Sequence, residues 1–368
     1  MALALLAETM GWTDEDGAVT TREYAWLRLM SAVKYDGYSD FRAGARFLES
    51  LATWLKQFPQ VDRPTAYEFV RSRLVYISVQ EMHRLIEAFV PEVVTPTIRV
   101  VAAKELGIKP YEIWSTADGA EAFRRRLRRT LFVGMSDGSR IDVLRRANAG
   151  RISTEQVLPM MNIDQAKWED LAENLGNGVK FDQVYLIDDF TASGTTFIRQ
   201  VGGRWKGKLN KFNELIGKAR EAMGDAFPIE NDYHLHIHHY VSSYQARQSL
   251  QQRLNEASTA WSEKTFSSVT LTEGLLLPQS LQLTGQKDQA FLNLCDRYYD
   301  HALFERLKKH CEEAGQKDMK RGYAECALPV VLDHNTPNNS LPLLWAETAG
   351  GDGVHPMRSL FHRRDRHG

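Results

Sequence analysis

The chain of 368 residues is short of cysteine, of charge imbalance and of long apolar runs, and each shortage excludes something. Its three cysteines, Cys295, Cys311 and Cys326, are odd in number and show no CxxC spacing. A disulfide framework or zinc knuckle does not fit that pattern, and reduced thiols in a cytoplasmic protein are expected. The formal net charge of -1 gives no global basic signal for nucleic acid, so any such contact must be local. No apolar run approaches the roughly 18–20 residues that a membrane span needs, and no membrane partner is expected. The opening "MALALLAETMGW" is briefly apolar but has no positive n-region, and acids follow at once. It reads as a helix or fraying terminus rather than a signal peptide. No internal repeat is evident, and biased composition is confined to "TAGGDGVH" and the basic "FHRRDRHG".

What is present suits a globular protein. The hydrophobic fraction is 43%, and at about 100–200 residues per domain the length suggests two domains or three. The first hundred or so residues have helical grammar. "TTREYAWLRLMSAVKYDG" opens with Thr20 and Glu23 at capping-box spacing, carries Tyr24, Leu27 and Val33 roughly on one face, and ends at Gly37. Phe47, Leu51, Trp54, Leu55 and Phe58 form a stripe that stops before Pro59. Ser78 with Glu81 reads as another cap, with Val79, Met82, Leu85 and Phe89 as the face and Pro91 as the stop. The pattern then changes. "TLFVGM", "QVYLIDD", "YHLHIHHYV", "SSVTLTE" and "ALPVVLD" are short β-rich runs separated by helical stretches, which predicts an α/β fold with parallel strands and crossovers.

One stretch, "VYLIDDFTASGTTFIRQ" at residues 184–200, carries most of the chemistry. Val184, Tyr185, Leu186 and Ile187 make a continuous apolar run, as for a central strand covered on both faces. Ligands of such sheets bind beyond the carboxyl ends of the strands, where Asp188 and Asp189 are expected to face a crevice. Paired acids can accept from the two hydroxyls of a ribose diol, or help to hold a divalent cation. Thr191, Ala192, Ser193, Gly194, Thr195 and Thr196 follow. Small residues let backbone N–H groups converge on an anion, Gly194 can take a positive φ, and the hydroxyls can donate to phosphate oxygens. A helix beginning there would add its N-terminal dipole. Diol-binding acids before a phosphate cradle describe a ribose 5-phosphate site.

This arrangement resembles the signature of the type I phosphoribosyltransferases: a hydrophobic strand, two acids, two or three residues, then a Thr/Ser-Gly-x-Thr loop. It is not a Walker A loop, because no lysine follows the glycine. "TLFVGMSDGSRIDVLRR" resembles the earlier strand of that family, whose loop grips pyrophosphate; by position Ser136, Asp137, Gly138, Ser139 and Arg140 would take that part. The resemblance implies a parallel sheet flanked by helices, a helical N-terminal region at 1–115, a phosphoribosyltransferase-like domain at 116–350 and a flexible basic tail at 351–368. It further implies phosphoribosyl pyrophosphate or a related nucleotide as ligand, with Mg²⁺, and transfer of phosphoribose through an oxocarbenium-like transition state. Asp188 and Asp189 would hold the ribose and the metal, 191–196 the 5-phosphate, and Arg140 with its loop the departing pyrophosphate. Many purine enzymes of the family place an Asp where this chain has Ala192, so a 6-oxopurine acceptor is not indicated and the acceptor stays open. The helical N-terminus and "LPVVLDHNTPNNSLPLLWAE" are similar to phosphoribosyltransferase-like proteins of bacterial antiphage systems. Some of these are encoded beside retrons, where a reverse transcriptase with its noncoding RNA–DNA would be the partner. A catalytically silent nucleotide sensor, or a nucleic-acid or protein adaptor in a defence complex, is the alternative. Oligomeric state is left open.

His234, His236 and His238 alternate on one strand face; a partly exposed strand is the reading, metal binding the alternative. "RRRLRRT" at 124–130 is read as a solvated helix end, with phosphate contact as the alternative; the tail arginines Arg363, Arg364 and Arg366 are equally open. "RWKGKLNK" from Arg204 is either a basic lid or a plain surface loop. Asn335, Asn338 and Asn339 suit a turn, or a loop that recognises a base.

Overall fold

The computed structural model describes residues 2–13, 17–41, 44–160, 163–176, 178–312, 314–351 and 353–363. Arg364 and Arg366 lie outside the described residues. The chain divides into two compact units, Met1–Glu81 with Pro278–Gly368, and Met82–Leu277. The sequence-based boundaries at 115/116 and 350/351 do not coincide with this division. The second unit is one continuous stretch, and the first is built from the two flanking stretches.

The first unit begins with helices α1 (Ala2–Met10), α2 (Gly17–Val33), α3 (Phe47–Lys56) and α4 (Arg63–Ser72), then strand β1 (Val75–Ile77). The expected α3 stripe is its core: Phe47, Leu51, Trp54 and Leu55 are fully buried, and Trp54 Nε1 donates to Leu343 O at 2.6 Å. Glu23 does not cap a helix. Helix α2 starts earlier, at Gly17, and places Glu23 inside, where its carboxylate accepts from Tyr67 Oη (2.8 Å) and pairs with Arg71 (3.2 Å). Ser78 and Glu81 do form the reciprocal cap, with Ser78 N to Glu81 Oε2 at 2.8 Å and Glu81 N to Ser78 Oγ at 3.3 Å. That cap starts α5 (Val79–Ala88), along which the chain passes into the second unit. Pro91 does not stop the helix. The backbone widens into a π-helical turn, Phe89–Val94, and continues into α6 (Thr95–Leu106); such turns carry irregularities that a regular α-helix would not.

The second unit continues with α7 (Ala117–Arg128), β2 (Thr130–Gly134), α8 (Ile141–Ala147), β3 (Val157–Pro159), α9 (Gln165–Leu175) and β4 (Phe181–Thr191). Then come β5 (Arg199–Val201), β6 (Arg204–Lys206), α10 (Lys208–Met223), β7 (Ile229–Ser243), α11 (Tyr244–Ala260) and β8 (Ser268–Leu277). Five strands form one parallel sheet in the order β3-β2-β4-β7-β8, so the fold is α/β with a parallel sheet flanked by helices. Both faces are covered, which is why β4 reads as unbroken apolar sequence. On one face Val133, Val184, Leu186, Leu235 and Ile237 pack with Trp168, Phe212, Ile216 and Leu250 of the helices. On the other, Phe89 packs against Phe132 (6.1 Å), Tyr185 (5.5 Å) and His238 (4.4 Å between ring centres).

The chain returns to the first unit as α12 (Gln289–Arg297), α13 (Ala302–Glu312), β9 (Val330–Leu332) and α14 (Pro342–Trp345). The strand in "ALPVVLD" is therefore outside the main sheet: β9 pairs in parallel with β1, Val75 opposite Val330.

Candidate functional site

The site is laid out by the unequal lengths of neighbouring strands. Strand β2 ends at Gly134, opposite Ile187 of β4. Asp188 is the next residue of β4, so the acid pair begins where β4 loses its neighbour on that side. On the other side β7 keeps pairing, Asp188 opposite His239 and Thr191 opposite Ser242, and this carries β4 past the acids to Thr191. The expectation that the strand stops at the acids is thus corrected. Side chains alternate across a strand, so Asp188 faces the side of Leu186 and His239, and Asp189 the side of Tyr185 and Tyr240.

The vacated edge is filled by the turn after β2. Met135 N donates to Ile187 O (2.8 Å), and Ser139 Oγ donates to the same carbonyl (2.7 Å). Ser136 N donates to Ser139 Oγ (3.2 Å), which closes the turn Asp137–Ser139. Ser136 Oγ then donates to Asp188 Oδ1 at 2.6 Å. Gly138 lies so close to Asp189 that a Cβ there would stand 2.3 Å from Oδ2. Arg140 follows in a left-handed conformation (φ 46°) and caps α8; non-glycine residues seldom adopt that region. The structure therefore brings Ser136, Gly138, Asp188 and Asp189 together. Asp137 is exposed, and Arg140 is half-buried.

The loop after β4 is not followed by a helix. Residues 192–198 turn, and the hairpin β5–β6 intervenes before α10. Val201 pairs with Arg204 across Gly202 and Gly203, both with positive φ (58° and 75°). A Gly-Gly pair between short strands is a two-residue hairpin signal, and "VGGR" carried it. The helix N-terminus expected to face the phosphate belongs to α10, and Lys208 N and Leu209 N donate to Thr196 O (3.1 Å) and Phe197 O (3.0 Å) of the loop itself. The segment "RWKGKLNK" is accordingly strand, turn and helix start rather than a free lid or loop.

The loop is tied down from several directions. Ser243 Oγ donates to Ala192 O (2.5 Å) while accepting from Ala246 N (3.0 Å) at the start of α11. Arg253 donates to Ser193 O (3.3 Å) and Ile198 O (3.4 Å), and Arg199 to Thr195 O (3.2 Å). Gly194 has φ 72°, as a tight loop needs, yet its open side faces α11: a Cβ would meet Leu250 Cγ at 2.8 Å. Crowding at 194 falls on the helix beneath the loop. Ser193 and Thr195 share a hydroxyl contact of 2.8 Å. Thr191, Ala192 and Ser193 are buried, Thr195 is half-buried and Thr196 is exposed.

One residue of the site carried no motif. Lys208, the first residue of α10, forms an ion pair with Asp188 Oδ2. Asp188 is only 3% exposed. Burial pushes its carboxyl above the ordinary range, Lys208 pulls it back, Asp189 adds to the rise, and Ser136 opposes it. Nothing in the local sequence distinguishes Lys208 from the other lysines of "KGKLNK"; only the hairpin's length brings it to Asp188. Beside it, His239 is buried, and among the described residues neither of its ring nitrogens has a hydrogen-bond partner. Burial, reinforced by Lys208, pushes its pKa down to about 3, with Asp189 opposing.

The same carboxylate bears on Mg²⁺. Asp188 Oδ1 accepts from Ser136 and Oδ2 is paired with Lys208. Among the described residues no group of three or more His, Cys, Asp or Glu is placed to hold a metal ion. A direct Mg²⁺–Asp188 bond does not fit this arrangement, since the ammonium already stands at the oxygen the metal would take.

The remaining features are structural. The arginines of α7 and the following Arg129 are matched to acids: Arg124 to Glu121, Arg125 and Arg126 to Glu105, Arg126 and Arg129 also to Asp182, Arg128 to Glu155, and Arg129 to Glu230. His234 lies between Ser268 and Thr270, His236 bonds Gln183 (2.9 Å), and His238 bonds Thr272 (3.0 Å). The row runs from half-buried His234 to buried His236 and His238, on a strand that is exposed only near its start. In the first unit, Asn339 donates to Tyr323 O (3.0 Å), Asn338 O accepts from Tyr323 N (2.7 Å) and Thr336 O accepts from Arg363 (2.7 Å). These bonds favour the turn reading of that segment.

No helix among the described residues is long and apolar enough to cross a membrane. Comparison with curated proteins and with solved structures returned no match. A family model, PRTase-CE, matches residues 51–363, most of the chain and all of the second unit. With its parallel sheet and the turn after β2 closed on the acid pair of β4, the chain belongs to the PRTase-CE family of phosphoribosyltransferase-like proteins.

Proposed function

We propose that the second unit binds phosphoribosyl pyrophosphate, or a related nucleotide, and transfers phosphoribose to an acceptor that the sequence does not name. Membership of a phosphoribosyltransferase-like family supports the general activity. The observation that carries the finer reading is the closure of the βα turn after β2 on the acid pair of β4, Ser136 on Asp188 and Gly138 against Asp189. In this reading Asp188 and Asp189 accept from the ribose hydroxyls. Residues 191–196 donate to the 5-phosphate through hydroxyls and backbone N–H groups. The Ser136–Arg140 turn, with the Arg140 guanidinium, faces the pyrophosphate as it leaves and stabilises its growing charge. Fixing the diol and the phosphate at two points orients C1 for attack. A place in bacterial antiphage defence, beside a retron or otherwise, rests on the sequence resemblance alone.

Calorimetry with phosphoribosyl pyrophosphate tests the binding. Wild type is expected to bind, and Asp188→Asn/Asp189→Asn to bind at least about a hundredfold more weakly; equal affinity sinks the reading. Release of pyrophosphate with nucleobases, small molecules, proteins or nucleic acids as acceptors then separates an enzyme from a silent sensor, which binds without release.

A further inference from the structure

Lys208 occupies an unfavourable place for a cation. It is the first residue of α10, where the helix dipole presents its positive end. Its backbone N–H is held by Thr196 O, so the residue is fixed to the phosphate loop. Its ammonium pairs with Asp188 Oδ2, a carboxylate buried to 3% exposure whose other oxygen accepts from Ser136. A buried carboxylate needs a counter-charge. Here one residue provides that charge and ties the acid pair to the loop.

Resting on the ribose phosphate reading of this site, we propose that Lys208 does the charge-neutralising work of a divalent cation at the acid pair, so that the site takes a phosphorylated ribose without Mg²⁺. Remove the ammonium and Asp188 becomes a carboxylate open to a metal ion.

Two measurements test this. The first uses the metal alone: Mn²⁺ titrated into the full chain and followed by electron paramagnetic resonance. Wild type shows no Mn²⁺ site that depends on Asp188, Lys208→Met gains one, and Lys208→Met/Asp188→Asn loses it. A wild-type Mn²⁺ site abolished by Asp188→Asn overturns the proposal, as does a Lys208→Met protein that gains none. The second uses ribose 5-phosphate, which lacks the metal-chelating pyrophosphate, in calorimetry with EDTA or with Mg²⁺. Wild type binds equally in both. Lys208→Met binds at least about tenfold more weakly in EDTA and recovers with Mg²⁺, whereas Lys208→Arg behaves as wild type. A tenfold loss by wild type in EDTA overturns the proposal. If ribose 5-phosphate binds to none of the proteins, the sugar reading fails, and the Mn²⁺ measurement still decides the part of Lys208. A variant left with an unpaired buried carboxylate is destabilised. Should Lys208→Met fold poorly, a melting temperature of Lys208→Gln that rises with Mn²⁺ replaces the resonance signal, and one that does not rise counts against the proposal.

Discussion

Asp189 lays its carboxylate against the bare Cα of Gly138: a methyl group at 138 would stand 2.3 Å from Oδ2 and 2.6 Å from Cγ. Gly138 has no positive φ, so alanine suits its backbone and the conflict is with the acid alone. Gly138→Ala is expected to push Asp189 from its place and weaken ribose 5-phosphate binding by at least about tenfold. Calorimetry reads this; unchanged affinity would take Asp189 out of the sugar site.

The loop glycine behaves differently. At Gly194 a side chain meets Leu250 of α11 at 2.8 Å, and φ is 72°. Gly194→Ala should cost about 1–3 kcal/mol of stability through overpacking and backbone strain. Part of that cost should vanish when Leu250→Ala makes room, so the double variant falls short of additivity in urea unfolding. Strict additivity would place the conflict elsewhere.

Ser243 joins two structures through one hydroxyl, capping α11 and holding Ala192 O. Ser243→Ala should lower stability by about 1–2 kcal/mol. Unlike an ordinary cap, it should also weaken phosphate binding by freeing the loop. A stability loss without any change in affinity shows that the loop holds its shape unaided.

Acid should unfold the second unit. Burial pushes His236, His238 and His239 down to about 3, aided by His234, His239 and Lys208 respectively. An unfolded histidine takes its proton near pH 6.5. Between about pH 6.5 and 3 the unfolded chain binds protons that the fold refuses. The stability is complete above that window and falls as pH drops through it, by up to about 1.4 kcal/mol per pH unit for each histidine. Urea midpoints at about pH 7.5, 6.5 and 5.5 should decrease in that order. His238→Gln should flatten the slope, and a midpoint indifferent to pH contradicts the burial of these histidines in neutral form.

The position of the acid pair was legible because it is local. A strand covered on both faces reads as unbroken apolar residues, and its polar exit stands out by contrast, as Val184 to Asp189 does. The stripe of α3 and the Ser78–Glu81 cap were legible for the same reason. Lys208 was not, because its meeting with Asp188 depends on how far the β5–β6 hairpin carries the chain. Glu23 looked like a cap and became a buried partner of Tyr67, a contact across 44 residues that no spacing rule detects. The charged run of α7 could be read either way until Glu105 and Asp182 were seen to meet it. The place of "ALPVVLD" depended on β1, a short strand far upstream that periodicity did not mark.

The nesting of one unit inside the sequence of the other orders events during synthesis. A ribosome finishes Met82–Leu277 as an uninterrupted piece, which can collapse on its own parallel sheet as soon as β8 emerges. The opening helices have no such freedom. Their β1 waits for Val330, so this segment stays exposed to chaperones and proteases until β9 has emerged as well.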